Sequence, residues 1–245
     1  MGPPDTWHRM AHWLRQVPSL LAEPPKAIVV ISGHWEADPV AVNVQAAPPL
    51  LYDYFGFPAE TYELKYPAPG DPVLAMRIKD LLKTAGFAAV EDRERGLDHG
   101  VFIPFKLIYP NADMPIVQLS LRTGLRAEEH LRMGRALMPL REEGVLLVGS
   151  GMSYHNLRSF GPGAAAASDQ FDGWLTETVC APKAAVRERA LAEWQGAPGG
   201  RQAHPREEHL LPLMVAAGAA GNDQGKKLFQ DRVLGATVSA FGFGM

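Results

Sequence analysis

The run AIVVIS, residues 27–32, constrains this chain more than any other stretch. It is unbroken, apolar and rich in β-branched residues, with none of the polar alternation of a half-exposed strand. A strand that reads this way is covered on both faces, as in a parallel sheet flanked by helices. IVQLSL (116–121) and VLLVGSG (145–151) repeat the pattern, while VAVNV (40–44) and residues 88–90 supply shorter extended pieces. Between them lie helical stretches. Trp7, Met10, Ala11 and Leu14 recur at helical spacing in residues 5–16, with Asp5 or Thr6 as the cap. Asp71-Pro72 opens a helix that Gly86 closes. Further helices are expected over 127–143, 168–180 and 183–194 and from near Arg206, and RVLGATVSAFGF reads as a terminal strand. Alternating strands and helices imply an α/β fold: a single-domain sandwich around a largely parallel central sheet, helices on both faces, spanning 1–245.

Composition narrows the function. With 245 residues, 47% of them hydrophobic, the chain can bury a large core. Its 24 Lys+Arg against 27 Asp+Glu leave a charge of −3 and no basic stripe for nucleic acid. The one cysteine, Cys180, forms no internal disulfide, reads as buried filler and fits a reducing, cytoplasmic setting. No apolar run is long enough to cross a bilayer, and the N-terminus lacks a secretory core. Met1-Gly2 with Thr6 matches the loose acylation template, a pattern easily met by chance.

Four of the eight histidines fall where an α/β protein places its chemistry, beyond strand ends and at helix starts. His34 lies in SGHWE, His99 in GLDHG, His155 in GSGMSYHNL and His209 in HPREEHLLPL. Gly33, Gly96, Gly100, Gly149 and Gly151 beside them permit positive φ or close approach to a ligand. Imidazole ligates metals and carries protons near neutrality, so converging histidines imply a mononuclear centre with an added acid/base. The competing reading makes each a hydrogen-bonded loop histidine. His8 and His12, spaced i, i+4, read as an exposed or interfacial helix face; His130, in RAEEHLR, as solvated; His204 as fixing a loop in preference to contacting substrate. Ser150 and Ser153 lie near His155, but the G-x-S-x-G spacing of a nucleophile turn is absent.

AIVVISGHWE, YDYFGFPAETYELKYPAPGDP, RGLDHGVFIPFKLIYPNADMPIVQLSL, GVLLVGSGMSYHNLR and HPREEHLLPL together resemble the class III (LigB-type) extradiol dioxygenases, in particular the 4,5-DOPA dioxygenase-like branch. The resemblance covers nearly the whole chain, in the family's order. It implies cleavage of a catechol ring by O₂ at one Fe(II) or Zn(II). His34 and His209 would be metal ligands, His209 standing where other class III enzymes place a glutamate. His155 would be acid/base or a further ligand, and His99 would assist proton transfer or bind substrate. The aromatics of residues 52–66 would wall the ring or pack the core.

Relatives open with a strand ending in an HGG- or HGS-type motif that carries a ligand. This sequence begins beyond such a motif, so a missing first strand and weak metal binding are expected. Two other classes use the same residues: a zinc-dependent hydrolase with metal-bound water, and a non-catalytic binding protein like the Memo proteins. Oxygen uptake with catechols separates an oxygenase from both. Substrate and O₂ are the expected partners, and self-association is compatible with the sequence.

Overall fold

The structure is a computed structural model describing Pro3 and residues 5–245; the acylation template's Met1-Gly2 lies outside the described residues. In chain order its helices are α1 (His8–Gln16), α2 (Pro72–Thr84), α3 (His99–Ile108), α4 (Ala127–Leu137), α5 (Pro139–Glu142), α6 (Ala164–Val179), α7 (Ala184–Ala192), α8 (Gly200–Ala203) and α9 (Leu211–Ala219). The strands are β1 (Ala27–Ala37), β2 (Val40–Asn43), β3 (Ala89–Asp92), β4 (Ile116–Arg122), β5 (Val145–Ser150), β6 (Gly225–Val233) and β7 (Ala236–Phe243).

β1 to β5 form one sheet in the order β3-β2-β4-β1-β5. β1 runs parallel to both β4 and β5, and only the β2–β4 pairing is antiparallel. The apolar run of β1 is therefore central and covered on both sides, as its composition requires. Its residues alternate between two cores. Val29 and Ile31 join β2, α2, α4, α6 and α9, whereas Ile28 and Val30 pack with Leu97, Val101, Phe102 and Phe105 around α3. Tyr66 from the aromatic stretch is buried in this second core and Tyr52 and Tyr54 pack against it, whereas Phe55 and Phe57 are exposed. Asp71 caps α2 by accepting from Leu74 N–H at 2.9 Å, and Gly86 follows the helix at φ +85°.

Several expected elements differ. The helix over 127–143 is two, α4 and α5, broken before Pro139, which offers no N–H to continue the first. The terminal strand is a hairpin, β6–β7, turned by Leu234 (φ 47°) and Gly235 (φ 82°). Two consecutive positive φ angles make a tight hairpin turn; leucine in the first position hid it in the sequence. α1 has Trp7 at its cap position and no side-chain cap; Thr6 Oγ1 instead donates to Pro3 O at 2.7 Å. GLDHG is not only a loop: His99 begins α3, a helix that Pro104 disguised. The final long helix starts at Leu211 rather than near Arg206, leaving residues 205–210 irregular.

The feature that positions the site is an arch in β1. Its register with β4 jumps from Ile31↔Leu119 to Glu36↔Leu121, so Ser32 to Trp35 leave the β4 ladder, while Ser32 still pairs with Ser150 of β5. His34 rides on that arch, at the carboxyl end of the sheet.

Candidate metal centre

The arch is fixed from below by a buried polar cluster. Asp98, wholly buried, accepts from Ser32 Oγ at 2.8 Å, from Gln118 Nε2 and from Arg95 at 3.3 Å. Ser32 Oγ also accepts the His34 N–H at 3.2 Å, and Arg95 donates to His34 O at 3.0 Å. Gly100 makes room: a Cβ there would meet Ser32 Oγ at 2.7 Å and the His34 ring at 2.9 Å. None of the five glycines flanking the histidines has positive φ. Each instead lies close against another chain segment, which corrects the expectation of left-handed backbone.

His155 and His209 come from two segments laced together. Met152 N–H donates to His209 O at 3.1 Å and His155 N–H to Ala203 O at 2.9 Å. His204 Nε2 meets Ser153 O at 3.0 Å, so His204 does fix a loop, as its sequence position implied. The lacing stacks the His155 and His209 rings at 3.4 Å between centroids and 17° between planes.

The four histidines meet. His209 Nε2 lies 3.3 Å from His34 Nε2, and the His34 ring centroid is 4.0 Å from that of His99. Two carboxylates that sequence reasoning missed stand behind them. Asp53 Oδ1 is 2.7 Å from His99 Nδ1 and accepts the His99 backbone N–H at 3.0 Å, while its Oδ2 faces His34 Nδ1 at 3.6 Å. Glu208 Oε1 is shared by His209 Nδ1 at 3.0 Å and His155 Nδ1 at 3.3 Å. Arg206 joins Glu36 through two bonds of 2.5 and 2.7 Å and reaches Glu208 at 3.4 Å, tying this corner to β1. The Glu208-His209 adjacency was a signal in the sequence; Asp53, in LYDYF, offered none.

The electrostatics favour neutral imidazoles between ionised carboxylates. Burial, then the neighbouring His99 and His209, lowers the His34 pKa to about 3. Burial likewise lowers His209, against the opposing Glu208 contact. Burial alone would raise Asp53, but hydrogen bonds from His99 outweigh it and bring the carboxyl to about 2. Glu208 is lowered in the same way by His155 and His209. Two neutral Nε2 atoms facing at 3.3 Å match the separation of two nitrogens about 2.0–2.1 Å from one tetrahedral cation, roughly 3.3 Å. This pair of nitrogens fits a metal ion, and the ligand atoms of His34, Asp53 and His99, and those of His155, Glu208 and His209, each lie within 4.8 Å of one another.

A family model described as the catalytic LigB subunit of aromatic ring-opening dioxygenase matches residues 4–243. The chain belongs to the LigB family. It is 44% identical over 224 residues to the 4,5-DOPA dioxygenase extradiol of Beta vulgaris, covering 90% of this chain and 82% of that protein. It is 38% identical to its counterpart in Escherichia coli K12 over 204 residues, 80% of this chain and 73% of that one. Among solved structures, an uncharacterised Escherichia coli K12 protein superposes with a TM-score of 0.74 at 32% identity, covering 94% of this chain and 91% of that one. This LigB-family protein is an extradiol, aromatic ring-opening dioxygenase.

The remaining candidates of the LigB chain lie elsewhere. His8 and His12 are exposed on α1, as expected. His130 is not solvated but fully buried, bonded to Arg126 O at 2.7 Å and accepting Arg122 N–H at 3.1 Å. The charged run around it lies on the outer face of α4, and the histidine points inward. Cys180 is half-buried at the end of α6 rather than core filler. Ser150 Oγ donates to Gly100 O at 2.5 Å, and Ser153 Oγ accepts from Ser239 N–H at 2.8 Å, so each has a structural partner. No helix among the described residues is long and apolar enough to cross a membrane.

Proposed function

We propose that this dioxygenase opens a catechol-type ring with O₂ at a mononuclear metal held by His34 and His209, with His99 moving protons and His155 serving either as a third ligand or as the second proton carrier. The observation that carries the reading is the 3.3 Å approach of the His34 and His209 Nε2 atoms. Bound Fe(II) supplies the redox chemistry that ring opening with O₂ requires; Zn(II) fits the nitrogen donors but has none.

The protein's own part is ordering and proton transfer. Both hydroxyls of a catechol must lose protons to become strong ligands, and an imidazole within reach is the suitable base. His99 presents one face to His34 and its Nδ1 to Asp53, leaving Nε2 free to accept a hydroxyl proton. The resulting imidazolium is stabilised by Asp53 at 2.7 Å. His155, stacked on His209 and backed by Glu208, is placed to receive or return a second proton. Tyr54 stands edge-on to His99 at 5.5 Å and holds its own hydroxyl on Thr61 O, which walls that side with an aromatic face.

The names of the relatives make DOPA the first catechol to test. Oxygen consumption and a new visible chromophore, on adding DOPA and simpler catechols to the Fe(II)-loaded protein, support the reading. Metal loading with no oxygen uptake on any catechol would favour the hydrolase or binding alternatives.

A further inference from the structure

We propose that Asp53 and Glu208 are positioning residues behind the four site histidines, setting the tautomers of His99, His155 and His209, with Asp53 also facing His34. The proposal rests on the metal-centre reading above and extends it to two residues outside the donor set.

The geometry is paired. Glu208 Oε1 receives both Nδ1 atoms of the stacked His155 and His209, at 3.3 and 3.0 Å. Asp53 divides its two oxygens, Oδ1 to His99 Nδ1 at 2.7 Å and Oδ2 facing His34 Nδ1 at 3.6 Å. An ionised carboxylate is an acceptor only, so a neutral imidazole hydrogen-bonded to it through Nδ1 carries its proton there. The lone pair is then on Nε2. For His209 that is the nitrogen facing His34 Nε2 at 3.3 Å. Without the carboxylates each ring could protonate Nε2 instead, and a protonated nitrogen neither ligates nor accepts a proton. A carboxylate behind a ligating histidine commonly fixes orientation and tautomer, and its loss costs about 10–100-fold in metal affinity.

Each carboxylate is itself anchored. Asp53 Oδ1 also accepts the His99 backbone N–H at 3.0 Å. Glu208 is reached by Arg206, which is clamped to Glu36 on β1. The brace thus connects the β1 arch, the start of α3 and the 205–210 segment.

The test uses the full chain, stripped of metal by a chelator, at about pH 8, above the ordinary histidine range. Long-range proton–nitrogen NMR should show His99, His155 and His209 as Nδ1–H tautomers in the parent. Glu208→Gln, whose amide can accept one Nδ1–H but donates to the other ring, should move His155 and His209 only, and Asp53→Asn should move His99 only. Zinc affinity by chelator competition should fall about 10–100-fold in both variants. Glu208→Asp should recover part of the loss, and Glu207→Gln, whose carboxylate bonds Arg201 at 2.7 Å, should change neither readout. Nε2–H tautomers in the parent, or zinc affinity and tautomers unmoved in both variants, would overturn the proposal. A parent that binds no zinc or iron would instead sink the metal reading, while the tautomer measurement still judges the brace.

Discussion

His209 brings its Nε2 to within 3.3 Å of His34 Nε2 across 175 residues of sequence. Such an approach between two neutral imidazoles is unfavourable when both nitrogens carry lone pairs, and burial keeps both rings neutral. A cation between them removes the conflict. His34→Ala and His209→Ala should each lower zinc or Fe(II) affinity by more than the roughly 100-fold expected for an outer-sphere change. Competition with a chromophoric chelator measures it, and affinity equal to the parent's in both variants would contradict the assignment.

The proposed role of His99 is separable from metal holding. His99→Asn should leave metal affinity close to that of the parent while kcat on the best catechol falls by about 10²–10⁴, the usual range for losing a general base. Oxygen-electrode rates at saturating catechol, with metal content checked on the same sample, provide the comparison. A variant with full kcat would exclude His99 as a proton carrier.

Stability should depend on pH through His204. Burial lowers its pKa from 6.5 to about 4, against the favourable Ser153 carbonyl contact. Between those values the unfolded chain binds a proton that the folded protein refuses, so stability is full above the unfolded pKa and falls as pH drops toward about 4. The shift bounds this one residue's effect at about 3 kcal/mol. His130, lowered by burial too, adds in the same direction. Urea titrations across the acid range should show the fall, and His204→Gln should flatten it. A profile level from neutrality to mild acid in the parent would be inconsistent with this.

The cluster under the β1 arch should be costly to break. Asp98→Ala would leave Arg95 only its His34 carbonyl contact and deprive Ser32 and Gln118 of their shared acceptor. Leaving a buried donor without its partner costs about 1–3 kcal/mol. Asp98→Asn, which can still accept from Ser32, should cost less. Chemical denaturation ranks the two, and equal stability of all three proteins would show that the cluster does not hold the arch.

Much of this was legible in the sequence because it rests on local signals. β1, β4 and β5 announce themselves by unbroken apolar runs, α2 by Asp71-Pro72 and Gly86, and the four site histidines by their places at element ends. What escaped depends on contacts between distant residues or on disguised turns. Asp53 matters only because the loop carrying it folds onto His99, 46 residues away. His130 sits in a charged run and still points inward, since helical phase rather than neighbouring charge decides burial. Leu234-Gly235 turns a hairpin without the asparagine or aspartate that would have advertised it.

The most direct measurement is oxygen consumption by the protein loaded anaerobically with excess Fe(II) and then given air-saturated buffer and DOPA. One O₂ consumed per ring opened, with a yellow product that fails to form in His34→Ala, is the expected result. Iron bound by the parent with no oxygen consumed on DOPA or any other catechol would contradict the convergence of His34, His155, His99 and His209 as a ring-opening site.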